Sequence, residues 1–282
     1  MLNQSARYFV PDPSIWPITG SIALLCMASG AASWFNGWSP GKFILLAGVA
    51  ILAYMIVGWF HTVSHESEAG KYNKQVDVSF RWGMSWFIFS EVMFFGAFFG
   101  ALFYMRVLSV PWLGDLEHKL IWPDFNATWP ATGPGIKDAF TPMAAWGIPA
   151  FNTLLLLSSG VTVTLAHWAL IRNDRMKLIA WMFATIGLGV LFLACQAYEY
   201  GHAYSELNLK LTTGAYGATF FMLTGFHGFH VTMGCLMLTT ILFRCVAGHF
   251  KPDHHFGFEG VAWYWHFVDV VWLGLFIFVY WF

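Results

Sequence analysis

Long apolar runs separated by short polar segments dominate the chain, and their lengths predict membrane-spanning helices. No acidic or basic residue occurs between Pro13 and Gly41, and Lys42 is followed by a second charge-free run. Because a bilayer core of about 30 Å requires about 20 apolar residues in a helix, each run is long enough to cross it. The runs lack the two-residue alternation of a membrane β-barrel. The pattern therefore predicts an all-α, polytopic membrane protein.

Seven spans are predicted from these runs. The first two are joined by the turn sequence FNGWSPG at 35–41, and a stretch with five prolines and three tryptophans at 107–142 is too irregular to span. The predicted spans are 15–34, 42–62, 79–106, 144–171, 177–203, 214–246 and 259–282. A polar segment at 65–80 separates the first two from the rest, so we expect a two-helix part (1–64) and a five-helix bundle (65–282) within one membrane domain.

Composition agrees with this pattern. The chain is 58% hydrophobic and only 10% charged, whereas soluble domains have about a quarter of their residues charged. The net charge of −1 includes no basic patch, so nucleic acid is not an expected partner. All four cysteines lie in apolar runs without a C-x-x-C pair, which favours packing thiols over disulfides or metal ligands.

The distribution of lysine and arginine predicts the orientation. With the N-terminus in the cytoplasm, nine basic residues fall inside and five outside, and basic residues favour the inner side. We therefore predict N-in and C-out. The inner residues are Arg7, Lys71, Lys74, Arg81, Arg172, Arg175, Lys177, Arg244 and Lys251, and the outer ones are Lys42, Arg106, Lys119, Lys137 and Lys210.

Glu91 is the acidic residue within the third predicted span. It follows Arg81 by ten residues, a helical rise of about 15 Å, which places it near the bilayer midplane. An ionisable side chain at that depth is costly and marks a functional hypothesis. Proton transfer and a neutral glutamate hydrogen-bonded to another helix both remain open.

Histidines and acids in the last two spans are candidates for a polar network. His266 and Asp269 are three residues apart, so their side chains can meet, and Glu259 shares the face of His266. Such a pair can relay protons or orient a ligand, but a structural hydrogen bond between helices is favoured. The expected network contains Glu259, His266, Asp269, His227 and His230.

A metal or haem site is not predicted. His227 and His230 lie at i and i+3, but zinc or copper requires a further ligand that no spacing supplies. A bis-histidine haem would need a ligand on an opposed helix, and no spacing selects His167, His202 or His266 for that role. The neighbouring glycines favour close helix packing instead. On the inner side, basic and histidine side chains suit anionic lipid head groups, or merely reflect the positive-inside bias.

Four segments together resemble subunit III of cytochrome c oxidase. They are SEVMFF at 90–95, TGFHGFHV at 224–231, HHFGFE at 254–259 and WYWHFVDVVWL at 263–273. The resemblance covers about residues 16–282, and four long motifs in one order are far more specific than any one of them.

The resemblance implies a subunit without haem or copper in a proton-pumping oxidase that reduces dioxygen to water with electrons from ferrocytochrome c. It implies packing beside the haem–copper subunit I, with the copper-containing subunit II in the same complex. It also implies that helices 1 and 2 splay from helices 3–7, leaving a V-shaped cleft filled with phospholipid. Glu91 matches the family's carbodiimide-reactive glutamate. The implied roles are fast proton uptake and protection of the catalytic subunit during turnover.

The resemblance further implies lipid contacts, with some departures. His65 stands where the family usually has arginine, Gly100 where many members have tryptophan, and GKYNKQ at 70–75 replaces an H-H-T-P segment. A histidine would make its head-group contact sensitive to pH, which an arginine cannot do. The lipid-binding residues implied are Trp59, His65, Glu66, Glu91, Arg244 and His249.

Two other functions are weighed against this one. A quinol-oxidase third subunit is usually shorter, with five spans. A stand-alone proton-coupled transporter would use Glu91 with His266 and Asp269, but the chain has no internal repeat of the kind that transporters show. The plain N-terminus and the departures favour the inner (plasma) membrane of a bacterium over the mitochondrial inner membrane.

Overall fold

The computed structural model describes residues 10–136 and 139–281, and within them it is helical without named strands. Seven of its helices are long and apolar enough to cross a membrane, which confirms the predicted fold class. Arg7 and Lys137, two residues counted for the orientation, lie outside the described residues. The helices are α1 (Trp16–Phe35), α2 (Gly41–Glu68), α3 (Lys74–Leu113), α4 (Ile148–Ile171), α5 (Arg175–Ser205), α6 (Gly214–Ala247) and α7 (Phe256–Trp281).

Close helix contact defines the pairing of α1 with α2. A Cβ on Gly41 would lie 2.5 Å from the backbone nitrogen of Trp34, and one on Gly48 would lie 2.7 Å from that of Met27. Both distances are below van der Waals contact, so only glycine permits this approach of the two backbones. The turn between the helices contains Gly37 at φ +86°, a conformation that glycine adopts without strain.

The chain divides into two compact units between Phe80 and Arg81, inside α3. The first unit contains α1, α2 and the first turns of α3, and the second contains the remainder of α3 and α4–α7. The sequence placed a boundary earlier, between residues 64 and 65. The polar residues there continue α2 to Glu68, so only residues 69–73 separate α2 from α3.

The third helix is longer than the sequence predicted. It continues past Arg106 through a π-helical turn (Tyr104–Ser109) and a final α-turn (Val110–Leu113). Pro111 lies in the first turn of that last segment, where its missing N–H is tolerated, and the π-turn directly precedes it. The proline-rich loop therefore begins about seven residues later than expected.

Backbone conformation and capping set the ends of the other helices. α4 begins after Gly147 at φ +99°, and α6 ends at Gly248 at φ +81°. At the start of α5, the Asp174 side chain accepts a hydrogen bond from the Lys177 backbone N–H at 3.2 Å, which satisfies a free donor of the first turn. α7 begins at Phe256, three residues before the predicted start.

The core of the second unit surrounds two tryptophans of α7. Trp265 and Trp272 are completely buried. Their indole N–H groups donate to Ser159 and Thr153 of α4, each at 2.9 Å. A Cβ on Gly234 of α6 would lie 2.7 Å from the Trp265 ring, so this helix supplies the space the indole occupies. These contacts tie α4, α6 and α7 together.

The loop after α3 covers the start of α6. The backbone N–H of Tyr216 donates to the Ala131 carbonyl at 3.0 Å, and the ring of Trp129 lies 5.6 Å from that of Tyr216. The loop thus satisfies donors in the first turn of α6 that a helix leaves unpaired.

Candidate functional site

Glu91 of α3 and His230 of α6 form a hydrogen-bonded pair. Nε2 of His230 lies 2.9 Å from Oε2 of Glu91, and Nδ1 of His230 lies 2.7 Å from the Phe226 carbonyl oxygen. Because a carbonyl only accepts, Nδ1 carries a hydrogen. One proton then lies between Nε2 and Oε2, either on the acid or on the imidazole. The pair holds that proton with no net charge, which reduces the cost of burial in a membrane.

Aromatic rings enclose this pair. The rings of Phe94 and Phe95, on α3, lie 5.9 and 5.0 Å from the imidazole of His230. The ring of Tyr264, on α7, is stacked at 6.4 Å. His230 is consequently buried, whereas the Glu91 side chain remains 21% exposed. The glutamate is thus the more exposed member of the pair.

The structure also brings His266 and Asp269 together on α7. Nδ1 of His266 lies 3.6 Å from Oδ2 of Asp269, and its Nε2 lies 3.3 Å from the hydroxyl of Thr164 on α4. A Cβ on Gly160 would overlap the Asp269 carboxylate, so α4 leaves room for this acid. The contact of His266 with Thr164 links α7 to α4.

His227 lies apart from both pairs. It is buried, with Nε2 3.2 Å from the Val268 carbonyl oxygen of α7. Although His227 and His230 are one turn apart on α6, their rings contact different groups. The structure therefore does not direct these two histidines at a common ligand.

Glu259 belongs to a third cluster, at the start of α7. Its Oε2 accepts a hydrogen bond from Arg81 of α3, and its Oε1 lies 3.1 Å from Nε2 of His255 and 3.6 Å from Nε2 of His167. The sequence singled out Glu259 but did not pair it with Arg81, His255 or His167. The four-residue spacing of His255 and Glu259 was a usable signal, whereas the contribution of His167 depends on where α4 lies.

A buried acid on α5 was also missed. Glu199 is 1% exposed and accepts a 2.6 Å hydrogen bond from the Tyr280 hydroxyl of α7. Its second oxygen has no hydrogen-bond partner among the described residues. The sequence offered a signal here, since Glu199 falls within the fifth predicted span.

The expected lipid-binding residues are distributed over both units. In the first unit, Trp59 and His65 are exposed, and Glu66 accepts a 2.7 Å hydrogen bond from the Tyr72 hydroxyl. Burial, together with this hydrogen bond, raises the pKa of Tyr72. In the second unit, the Arg244 guanidinium lies 4.6 Å from the centre of the Phe250 ring. His249 is exposed at the end of α6.

The fold and these paired groups define a polytopic helical membrane protein with ionisable side chains paired between its helices. A family model described as Cytochrome c oxidase subunit III matches residues 6–282. Cytochrome c oxidase subunit 3 of Latimeria chalumnae and that of Danio rerio are each 42% identical over 282 residues, which covers 100% of this chain and 99% of each relative. The Pongo pygmaeus protein of that name is 41% identical with the same coverage. The chain belongs to the cytochrome c oxidase subunit III family.

Proposed function

We propose that this chain is the third subunit of a proton-pumping cytochrome c oxidase and holds no redox centre itself. The observation that carries the proposal is the similarity to subunit 3 proteins over the whole chain. In this role the chain packs beside subunit I, in a complex with subunit II, and those partners hold the haem and copper. The reaction of the complex is the reduction of dioxygen to water by ferrocytochrome c.

The chain's contribution to proton uptake is proposed to centre on Glu91 and His230. Their contact holds one proton in a neutral pair, and the partly exposed glutamate gives it an exit. Glu91→Gln keeps the side-chain volume but removes the ionisable group. We expect this variant to assemble and to slow proton uptake. Failure to assemble would show that the carboxyl group is structural.

Phospholipid is proposed as the other ligand. In the apolar stretch of α1, of α2 and of α3, only 11% of the residues are buried within the chain. The corresponding share is 44–50% for α4, α6 and α7. Such apolar surface requires lipid or protein cover in a membrane. Arg244 and His249 supply charge and hydrogen-bond donors for a phosphate head group. In the first unit, Trp59 and His65 offer an aromatic ring and a histidine, and Glu66 lies beside His65.

The head-group contact can be tested by lipid analysis. Arg244→Ala should lower the amount of anionic phospholipid that co-purifies with the complex. Arg106→Ala, which removes a basic residue from the π-turn of α3, is the matched control. Equal lipid in the two variants would contradict the assignment of Arg244.

The membrane is proposed to be a respiratory one. The relatives named above are vertebrate proteins, which favours a mitochondrial inner membrane over the bacterial membrane expected from the sequence. Membrane fractionation of the source cells, with the oxidase spectrum as marker, tests this directly.

The experiment that tests the main proposal compares the oxidase with and without this chain. A tag on the chain should purify a complex with the visible bands of haem in the reduced-minus-oxidised spectrum. After a detergent wash removes the chain, the haem should stay with the larger subunits, and the enzyme should inactivate after fewer turnovers. Haem that leaves with the chain would refute the non-redox role, and an unchanged turnover lifetime would refute the protective one.

A further inference from the structure

Three potential metal ligands converge where α4 ends and α7 begins. They are Nε2 of His167, Nε2 of His255 and Oε1 of Glu259, all within 4.8 Å of one another. The three separations are 3.1, 3.1 and 3.6 Å. Tetrahedral zinc with bonds of about 2.0–2.1 Å places its ligands about 3.3–3.4 Å apart. The triangle therefore already has the edge lengths of a zinc site.

Hydrogen bonds outside the triangle orient its members. Nδ1 of His255 lies 3.1 Å from the Lys251 carbonyl oxygen, so in the neutral ring Nδ1 carries the hydrogen and the Nε2 lone pair points into the triangle. Arg81 donates to Oε2 of Glu259, which leaves Oε1 directed at the two histidines. Outer partners of this kind fix the tautomer and the direction of metal ligands in known sites.

The donor set indicates which ions would bind. Two imidazoles and one carboxylate suit zinc and similar divalent transition metals, whereas magnesium and calcium prefer oxygen ligands. Two histidines and a glutamate leave the fourth tetrahedral position to water. The three side chains are 10–26% exposed, so an ion from the aqueous side can reach them.

We propose that His167, His255 and Glu259 form a binding site for a divalent transition-metal ion of the zinc type. The ion links α4 to the first turn of α7. In this structure Nε2 of His167 donates to Nε2 of His255, so the ring hydrogen of His167 moves to Nδ1 when Nε2 binds the ion. The positive charge of Arg81 beside the carboxylate opposes the charge of the ion and so lowers the affinity. The site is independent of the oxidase function proposed above.

The test is zinc uptake by the intact purified complex. The complex is dialysed against a series of buffered free-zinc concentrations, and zinc per complex is measured by elemental mass spectrometry. We expect wild type to bind one zinc ion more than His255→Ala. His255 directly precedes α7, so its loss can disturb the start of that helix. His167→Ala, within α4, therefore provides a second variant, which should also lose the zinc ion. His254→Ala removes an adjacent exposed histidine and should retain the ion.

Spectroscopy and competition complete the test. X-ray absorption at the zinc edge should lose imidazole scattering in both ligand variants but not in His254→Ala. A hundred-fold excess of magnesium should not displace the ion. Equal zinc uptake by wild type and both ligand variants, or displacement by magnesium, would overturn the proposal. Loss of the oxidase assignment would leave this result unchanged, because zinc uptake is measured independently of turnover.

Discussion

Substitution of Gly160 by alanine tests how α4 accommodates the acid of α7. The added Cβ would overlap Oδ2 of Asp269, and Cγ of Asp269 and Nδ1 of His266 would lie 3.4 and 3.5 Å away. The last two distances are ordinary contacts. The strain is therefore at the carboxylate oxygen. It is relieved if the carboxylate rotates away from His266 or if α4 and α7 move apart.

The expected cost follows from the confinement of Asp269. The residue is 6% exposed, so its carboxylate cannot rotate into water. Inserting a methyl group into a well-packed core costs about 1–3 kcal/mol. For a unit of 150–250 residues, each kcal/mol corresponds to roughly 2–4 °C in the unfolding temperature, so the expected decrease is about 2–12 °C.

Two buried cysteines provide the assay. Cys235 and Cys245 are 7% and 2% exposed, so a maleimide reaches them only when the unit opens. Alkylation of their peptides is followed by mass spectrometry while the complex is heated at one fixed rate. Gly228→Ala on α6 is the control, since a Cβ there meets nothing within 4 Å. The control should unfold like wild type.

A double substitution identifies the cause of the effect. With Asp269→Ala already present, Gly160→Ala should cost almost nothing, so the coupling energy should equal the cost of Gly160→Ala alone. If Gly160→Ala lowered stability equally in both backgrounds, overlap with Asp269 would not be the reason. If Gly160→Ala left the unfolding temperature unchanged in an otherwise wild-type chain, the close contact of α4 and α7 at this point would be refuted.

Three further changes have defined outcomes. Ser159→Ala leaves the buried Trp265 N–H without its 2.9 Å acceptor, and thermal unfolding should show a loss of about 0.6–1.7 kcal/mol, whereas no loss would mean that another acceptor replaces the serine. Gly248→Ala forces a side chain onto φ +81° at the end of α6, so denaturation should reveal a cost of about 1–2 kcal/mol; a stabilised variant would contradict the left-handed conformation. The hydrogen bonds from Lys177 hold the pKa of Asp174 in the folded protein below its ordinary value of 3.8. The stabilisation by Asp174 is therefore complete above pH 3.8, and it is lost as the pH falls through the pKa of the folded protein. Acid unfolding curves should therefore differ between wild type and Asp174→Asn above pH 3.8 and converge at lower pH, and curves that stay parallel throughout would disprove this linkage.

Some features of the molecule depend only on local sequence. The seven spans are recognisable as long apolar runs with few charged residues, because crossing a bilayer requires length and apolarity, both of which are properties of one segment. Their ends were less well predicted. The helix end at Glu68 lies beyond the apolar run, since a helix that leaves the membrane continues while its polar residues are solvated. The end at Leu113 was missed because Pro111 suggests the start of a loop, whereas it lies in the first turn of a helical segment.

Pairing within one helix was also predictable. His266 and Asp269 share a face of α7 at a spacing of three, and the structure places them 3.6 Å apart. The sequence could not show that Gly160 leaves room for that pair. The space depends on the distance between α4 and α7, which is set by Trp265, Trp272 and their hydrogen bonds.

The sequence by itself determined the class of protein, the number of spans, and Glu91 as an acid within the third span. Only the tertiary structure decided that Glu91 contacts His230, 139 residues away, and that Arg81 contacts Glu259, 178 residues away. Membrane helices are nearly equal in apolarity, so their mutual rotation is set by side-chain packing and interhelical hydrogen bonds. Those forces act between segments, and no local pattern along the chain contains them.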